Sequence, residues 1–165
     1  MANRGFFLRG AISVGDVYVD DVVVLGSAFL EAYENEAQAA NPRIILTDSA
    51  ATAARKHLSY HSGREHSPQY RDLFQDCDGK WFVNYLETVL VAEPEVGPFY
   101  DELIQHKERV IERLREFHSD QRIESKYDWV ASYHNYFCDQ YPQYFDRSHK
   151  IDKELTDKRF SRIGF

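Results

Sequence analysis

The most informative stretch of the chain, Phe6 to Thr47, reads as strand, tight hairpin, amphipathic helix and buried strand in quick succession. Residues 6 to 14 alternate loosely around apolar positions, Gly15-Asp16 interrupts them, and Val17 to Val19 begin a second strand. Asp20-Asp21 is a polar turn between two β-branched runs. Val22 to Leu25 is short, continuous and apolar, the pattern of a buried strand. Gly26-Ser27 then opens a helix with Ser27 as N-cap. Phe29, Ala32, Tyr33 and Ala37 form its apolar stripe, while Glu31, Glu34 and Glu36 face elsewhere. Asn41-Pro42 ends it, because a residue before proline is pushed out of the helical region.

The same reading continues downstream. Arg43 to Leu46 is a second buried strand, and Thr47 or Asp48 caps an Ala-rich helix that fades near Leu58. Ser59 to Gln69 is polar, with Gly and Pro, and predicts a mobile surface loop. Beyond it, two aromatic-rich runs flank Asp78-Gly79, a strong hairpin signal. From Pro98 the composition shifts. Phe99, Leu103, Val110, Leu114 and Phe117 recur at helical spacing among charges, and Ile123, Tyr127, Val130, Tyr133 or His134, and Phe137 do so within Arg122 to Tyr141. Only Asp120-Gln121 separates the two helices, which predicts an antiparallel hairpin ended by Pro142. The expected organisation is an α+β segment with helices on one face of its sheet over residues 5–92, a helical hairpin over 98–141, and a charged docking tail or frayed end over 142–165.

Composition narrows the function classes. A chain of 165 residues with 43% hydrophobic and 28% charged residues has the makings of a core, and its 15% aromatic share points to Tyr and Phe packing. A net charge of −7 argues against a surface built to neutralise phosphates, so nucleic acid is not an expected partner. No apolar run approaches the ~20 residues of a membrane-crossing helix. Cys77 and Cys138 stand outside any metal-ligand spacing, and no signal peptide precedes them. They read as reduced thiols of a cytoplasmic protein.

Few residues carry obvious chemistry. His57 and His61 have the i, i+4 spacing of two ligands on one helix face, but no Glu lies between them as in H-E-x-x-H, and they read as surface histidines. Among His106, His118 and His134 on the long helices, His134 lies on the apolar side and reads as a satisfied packing residue. Asp16, Asp20 and Asp21 read as solvated turn residues. Gly-rich phosphate loops and G-x-S-x-G are absent from the sequence.

Arg9, Gly10, Ile12 and Gly15, then Gly26 and Ala32, then Arg43 to Thr47 fall in an order that resembles the second half of a class III nucleotidyl cyclase domain. The resemblance implies a cyclase-like (ferredoxin-like) partial sheet. It also implies nucleotide-binding positions at Arg9, Ser27, Leu30 and Glu34, with a nucleoside triphosphate as ligand. Ser27 stands where many members place a base-reading Asp, and Leu30 and Glu34 where the family keeps its transition-state Asn and Arg. Neither replacement donates to a phosphate, and an ionised Glu34 repels one. The family's metal carboxylates lie N-terminal to the matched region. Mg or Mn would therefore be held only with an upstream segment or a partner chain in a homo-oligomer, and no metal ligand is expected here. The string Gly26, Ala28, Ala32, Tyr33, Glu36, with the segments DGKWFVNYL and KYDWVASYHN, is also similar to a divergent branch that makes cyclic pyrimidine nucleotides in bacterial antiphage defence.

Two functions follow from these residues. One is the C-terminal part of a divergent nucleotidyl cyclase-like protein in cyclic-nucleotide signalling, inactive alone. The other is a non-catalytic protein-interaction module on a degenerate cyclase framework, with the aromatic-rich helical hairpin as its surface.

Overall fold

The computed structural model describes residues 7–38, 40–61, 66–90, 97–152 and 159–163, and within the first of these the side chains of residues 7–36. The fold is mixed α+β. The chain divides into two compact units, one of Met1–Leu8 and Tyr85–Phe160, the other of Arg9–Asn84 and Ser161–Phe165. Ser161 to Ile163 thus belong to the sheet unit, and Phe7 and Leu8 to the helical unit.

In the sheet unit, β1 (Gly10–Ile12) lies parallel to β4 (Ile44–Leu46), with Gly10 opposite Ile44 and Ile12 opposite Leu46. Between them the chain forms a separate two-stranded sheet, β2 (Tyr18–Val19) with β3 (Val24–Leu25), and the helix α1 (Ser27–Gln38). After α2 (Asp48–Leu58) and the short α3 (Pro68–Asp72), β5 (Leu73–Asp76) and β6 (Trp81–Val83) form the hairpin predicted around Asp78-Gly79, with Gly79 at φ 81° in the turn. The main sheet runs β1-β4-β6-β5-β7, where β7 is Phe160–Arg162. Its core gathers Leu46, Ala50, Ala51, Leu58, Leu73, Trp81 and Ile163. Ile163 belongs to the segment read as a charged tail, and Arg162 beside it lies over the rings of Tyr70 and Phe74.

Two local expectations change. Ser59 to Gln69 is partly outside the described residues, but Ser67 is buried and caps α3 by accepting from the Tyr70 amide at 3.2 Å. Val22 to Leu25, read as a buried strand, is exposed: Val22 keeps 90% of its surface. A hydrophobic β-branched run satisfies its backbone in a free hairpin as well as in a core strand, so composition alone does not separate them.

In the helical unit, α4 (Tyr100–Glu116) and α5 (Gln121–Gln140) pack together as the expected hairpin, with Asp120 capping α5 through the amides of Arg122 and Ile123. Leu103 and Val110 of α4, with Trp129, Val130, Tyr133 and Phe137 of α5, are fully or almost fully buried. Phe145 and Ile151 of the following segment are buried as well, so residues 142–152 contribute to this core rather than fray. Phe7 sets its ring edge-on against His106 and Tyr127 at 5.7 Å each, which shortens the strand expected from residue 6.

Candidate functional site

The segment carrying the proposed nucleotide positions is organised around α1. Ser27 is the first residue of the helix, not its cap. Gly26 precedes it at φ 143°, and its carbonyl accepts from the Leu30 amide at 3.1 Å. Ser13 Oγ donates to the Ala28 carbonyl at 2.5 Å, and Ala28 is buried, so the small face of the helix lies toward β1. The rotation this requires reverses the expected stripe. Phe29 (42%) and Tyr33 (66%) are exposed and stacked on each other at 6.5 Å, whereas Glu31 turns in to accept from Ser49 N at 3.1 Å and Ser49 Oγ at 2.5 Å. Those Ser49 bonds hold the Glu31 carboxyl below its ordinary value, and they place a negative charge at the start of α2, where the helix dipole favours it. Ala37, the fourth residue of the expected stripe, lies outside the residues whose side chains are described.

Arg9 Nε donates to Glu36 Oε1 of α1 at 2.7 Å, an exposed ion pair. Ser27, Leu30 and Glu34 are exposed, and their spacing puts them on one side of the helix. Of the four, only Arg9 and Ser27 can donate to a phosphate, and Arg9 is already engaged by a carboxylate. A metal ion fares no better at the hairpin. Asp20 Oδ1 accepts from the amides of Val22 (2.8 Å) and Val23 (2.7 Å), and its Oδ2 from the Tyr18 hydroxyl at 2.9 Å. These bonds, backbone first, hold the Asp20 carboxyl below its usual value and close the β2–β3 turn. The residues present do not fit a nucleotide-bound Mg or Mn. Among the described residues no group of three or more His, Cys, Asp and Glu is placed to hold a metal ion.

No protein-family model matches this chain, and neither a curated protein nor a solved structure matches it.

What α1 and the hairpin do present is apolar surface. Val17, Tyr18, Val19, Val22, Val23, Val24 and Leu25 are all exposed, and Phe29, Leu30 (58%) and Tyr33 extend the series onto α1. Scattered exposed apolar residues are ordinary in proteins, but a run this dense in adjoining elements is not. Sequence reasoning placed Val22 to Leu25, Phe29 and Tyr33 inside because their spacing fits a core as well as an interface.

Each unit also holds a polar cluster of its own, of which only the one at Arg43 was missed by sequence reasoning. The Arg43 guanidinium, 4% exposed, bonds Asp76 and Asp78 across the β5–β6 turn. Burial opposes ionisation of Asp78, yet Arg43 and the Lys80 amide keep its carboxyl below the ordinary value. In the helical unit His106 and His134 are buried against each other, and His134 is the satisfied packing residue expected of it. Both clusters tie elements together: Arg43, Asp76, His106 and His134 are buried, while Asp78 lies at the surface of the turn. A shallow depression of about 550 Å³ on α4, lined by Ile111, Leu114, Arg115, His118, Ile151 and Asp152, contains none of the four nucleotide positions.

Proposed function

We propose that the chain acts as a non-catalytic protein-interaction module whose contact surface is the β2–β3 hairpin with the outward side of α1. The observation that carries this reading is the exposure of ten large apolar residues, Val17 to Val19, Val22 to Leu25, Phe29, Leu30 and Tyr33, on adjoining elements of one unit. Apolar side chains left in water at that density lower free energy when a partner covers them. The surface differs from the helical hairpin anticipated from sequence, because the stripes of α4 and α5 are consumed by each other and by Phe145 and Ile151.

The cyclase reading draws support from the order β1, hairpin, α1, β4, the order that suggested the resemblance. It supports a framework and not a phosphate site, since Leu30 and Glu34 supply no donor and Arg9 is paired with Glu36. The test is direct. Purified protein incubated with each of the four ribonucleoside triphosphates and Mg or Mn is expected to yield no cyclic nucleotide by mass spectrometry. An apolar fluorescent dye is expected to bind the protein, and to bind the folded Val22→Ser, Leu30→Ser variant markedly less. A cyclic product from homogeneous protein overturns the module reading in favour of the enzyme.

A further inference from the structure

The hairpin and α1 themselves carry charge of one sign, and the cations that reach α1 from other elements include Arg9, on Glu36, and Lys80, whose Nζ donates to Asn35 Oδ1 at 3.2 Å. From Gly10 to Pro42 the chain carries six carboxylates, Asp16, Asp20, Asp21, Glu31, Glu34 and Glu36, and no Lys, Arg or His. Glu36 is matched by Arg9, and Glu31 is turned onto Ser49. The remaining four are exposed: Asp16, Asp20 and Asp21 on or beside the hairpin, Glu34 beside Leu30 and Tyr33 on α1. An apolar surface bordered by carboxylates is selective, because a contact that buries the apolar residues also brings the partner's rim against that border.

That border distinguishes among occupants. A second copy meeting the surface through a two-fold axis would bring one acidic border, Asp16, Asp20, Asp21 and Glu34, against another, and like charges so placed oppose association. Anionic lipid and nucleic acid are repelled for the same reason. A polypeptide with apolar side chains flanked by cations gains on both counts. Resting on the interaction-module reading, we infer that the β2–β3 hairpin and the outward side of α1 dock a polypeptide whose apolar face is flanked by Lys or Arg.

The experiment uses the full chain and two fluorescent peptides of equal length, one alternating Leu with Lys and one alternating Leu with Glu, followed by anisotropy. Sedimentation of the protein alone runs in parallel. The Lys peptide is expected to bind and the Glu peptide not. Two substituted proteins separate surface from general charge: Val22→Ser with Leu30→Ser, and Asp16→Asn with Asp21→Asn and Glu34→Gln. Each is expected to weaken the Lys peptide about tenfold, which corresponds to the loss of about 1.4 kcal/mol. The rim variant should also flatten the salt dependence. Neutralising Glu108 and Glu112 on α4 should leave binding unchanged. Because Val22 is 90% exposed, Val22→Ser alone serves if the double variant does not fold. Equal binding to all variants reduces the effect to bulk charge and overturns the inference. Self-association that Val22→Ser abolishes names a second copy as occupant, overturning the inference while the module reading stands. No peptide binding and no self-association, in wild type and variant alike, overturns both.

Discussion

His106 and His134 lie face to face with ring planes 4° from parallel and centroids 5.1 Å apart, joined Nδ1 to Nδ1 at 3.0 Å. The tautomers follow from the ends of the chain they belong to. His134 Nε2 meets the His149 carbonyl at 2.9 Å, and a carbonyl only accepts, so that nitrogen carries the proton and His134 Nδ1 is bare. His106 Nδ1 must then donate, leaving His106 Nε2 to accept from the Tyr85 hydroxyl at 3.1 Å. Every polar hydrogen is assigned only while both rings are neutral. A proton added at His134 Nδ1 meets the His106 Nδ1 hydrogen already pointing at it, so His106 must change tautomer to admit it.

Acid sensitivity is the expected consequence. Burial, then the charge of His134, lowers His106 well below its ordinary value, and burial pushes His134 down to about 4 against the opposing hydrogen bond to the His149 carbonyl. Folded values below the unfolded one mean that the unfolded chain takes up protons first. The stability is present in full above pH 6.5 and is lost as the pH falls from there toward 4. For His134 alone the ceiling is about 3 kcal/mol. Thermal melts should fall in midpoint between pH 7 and pH 5, before the carboxylates titrate, and His134→Gln should flatten that slope. A midpoint independent of pH in this window contradicts the neutral pair. Nitrogen-detected NMR should find His134 protonated at Nε2 and His106 at Nδ1.

The α4–α5 seam should respond to cavity and charge in different degrees. Leu103 has no exposed surface, and Leu103→Ala is expected to cost about 2–5 kcal/mol through lost burial and the void left behind. Leu114 is only half-buried, beside Ile111 and Ile151, so Leu114→Asp can turn its carboxylate to water and should cost about 1–3 kcal/mol. Chemical denaturation of the two variants checks the order. Equal losses would place Leu114 in the seam as deeply as Leu103.

Arg43 should matter more than any exposed ion pair. Arg43→Leu takes the guanidinium from Asp76, 4% exposed and otherwise bonded by the Cys77 amide, and breaking a buried ion pair by removing one member costs about 3–5 kcal/mol. Arg109→Ala, which breaks an exposed pair with Glu112 on α4, should leave stability almost unchanged. Denaturant midpoints of the two variants test the contrast. A mild Arg43→Leu loss would mean that water reaches Asp76 once the arginine is gone.

The legible parts of this fold were those with local chemistry. Asp20-Asp21 and Asp78-Gly79 mark turns because an Asx side chain and a Gly satisfy turn geometry within a few residues, and α4 and α5 carry stripes long enough to fix their faces. The phase of α1 was not legible. Phe29 and Tyr33 outweigh Ala28 in any hydrophobic average, yet Ala28 is the residue small enough to lie against Ser13. Phe145, Ile151 and Ile163 stand singly among charges, without a period, and their burial depends on contacts far along the chain. The candidate surface was hidden for a related reason: a run such as Val22 to Leu25 looks the same in sequence whether its own core or a partner covers it.

Gly26 joins the hairpin to α1, and it is the position where the display of that surface should be most easily broken. At φ 143° its backbone is in a region that side-chain-bearing residues avoid, and a Cβ there would lie 2.3 Å from the Asp16 carbonyl oxygen and 2.9 Å from Val17 Cα. Both obstacles are backbone, so the hairpin or the helix must move. Gly26→Ala should cost about 1–3 kcal/mol in strain and shift the two elements relative to each other, whereas Gly79→Ala, with φ 81° but open space around it, should cost less. Melting temperature and amide exchange over residues 17–30 measure the two effects. If Gly26→Ala leaves both unchanged, the hairpin is free to relax and does not present a fixed surface.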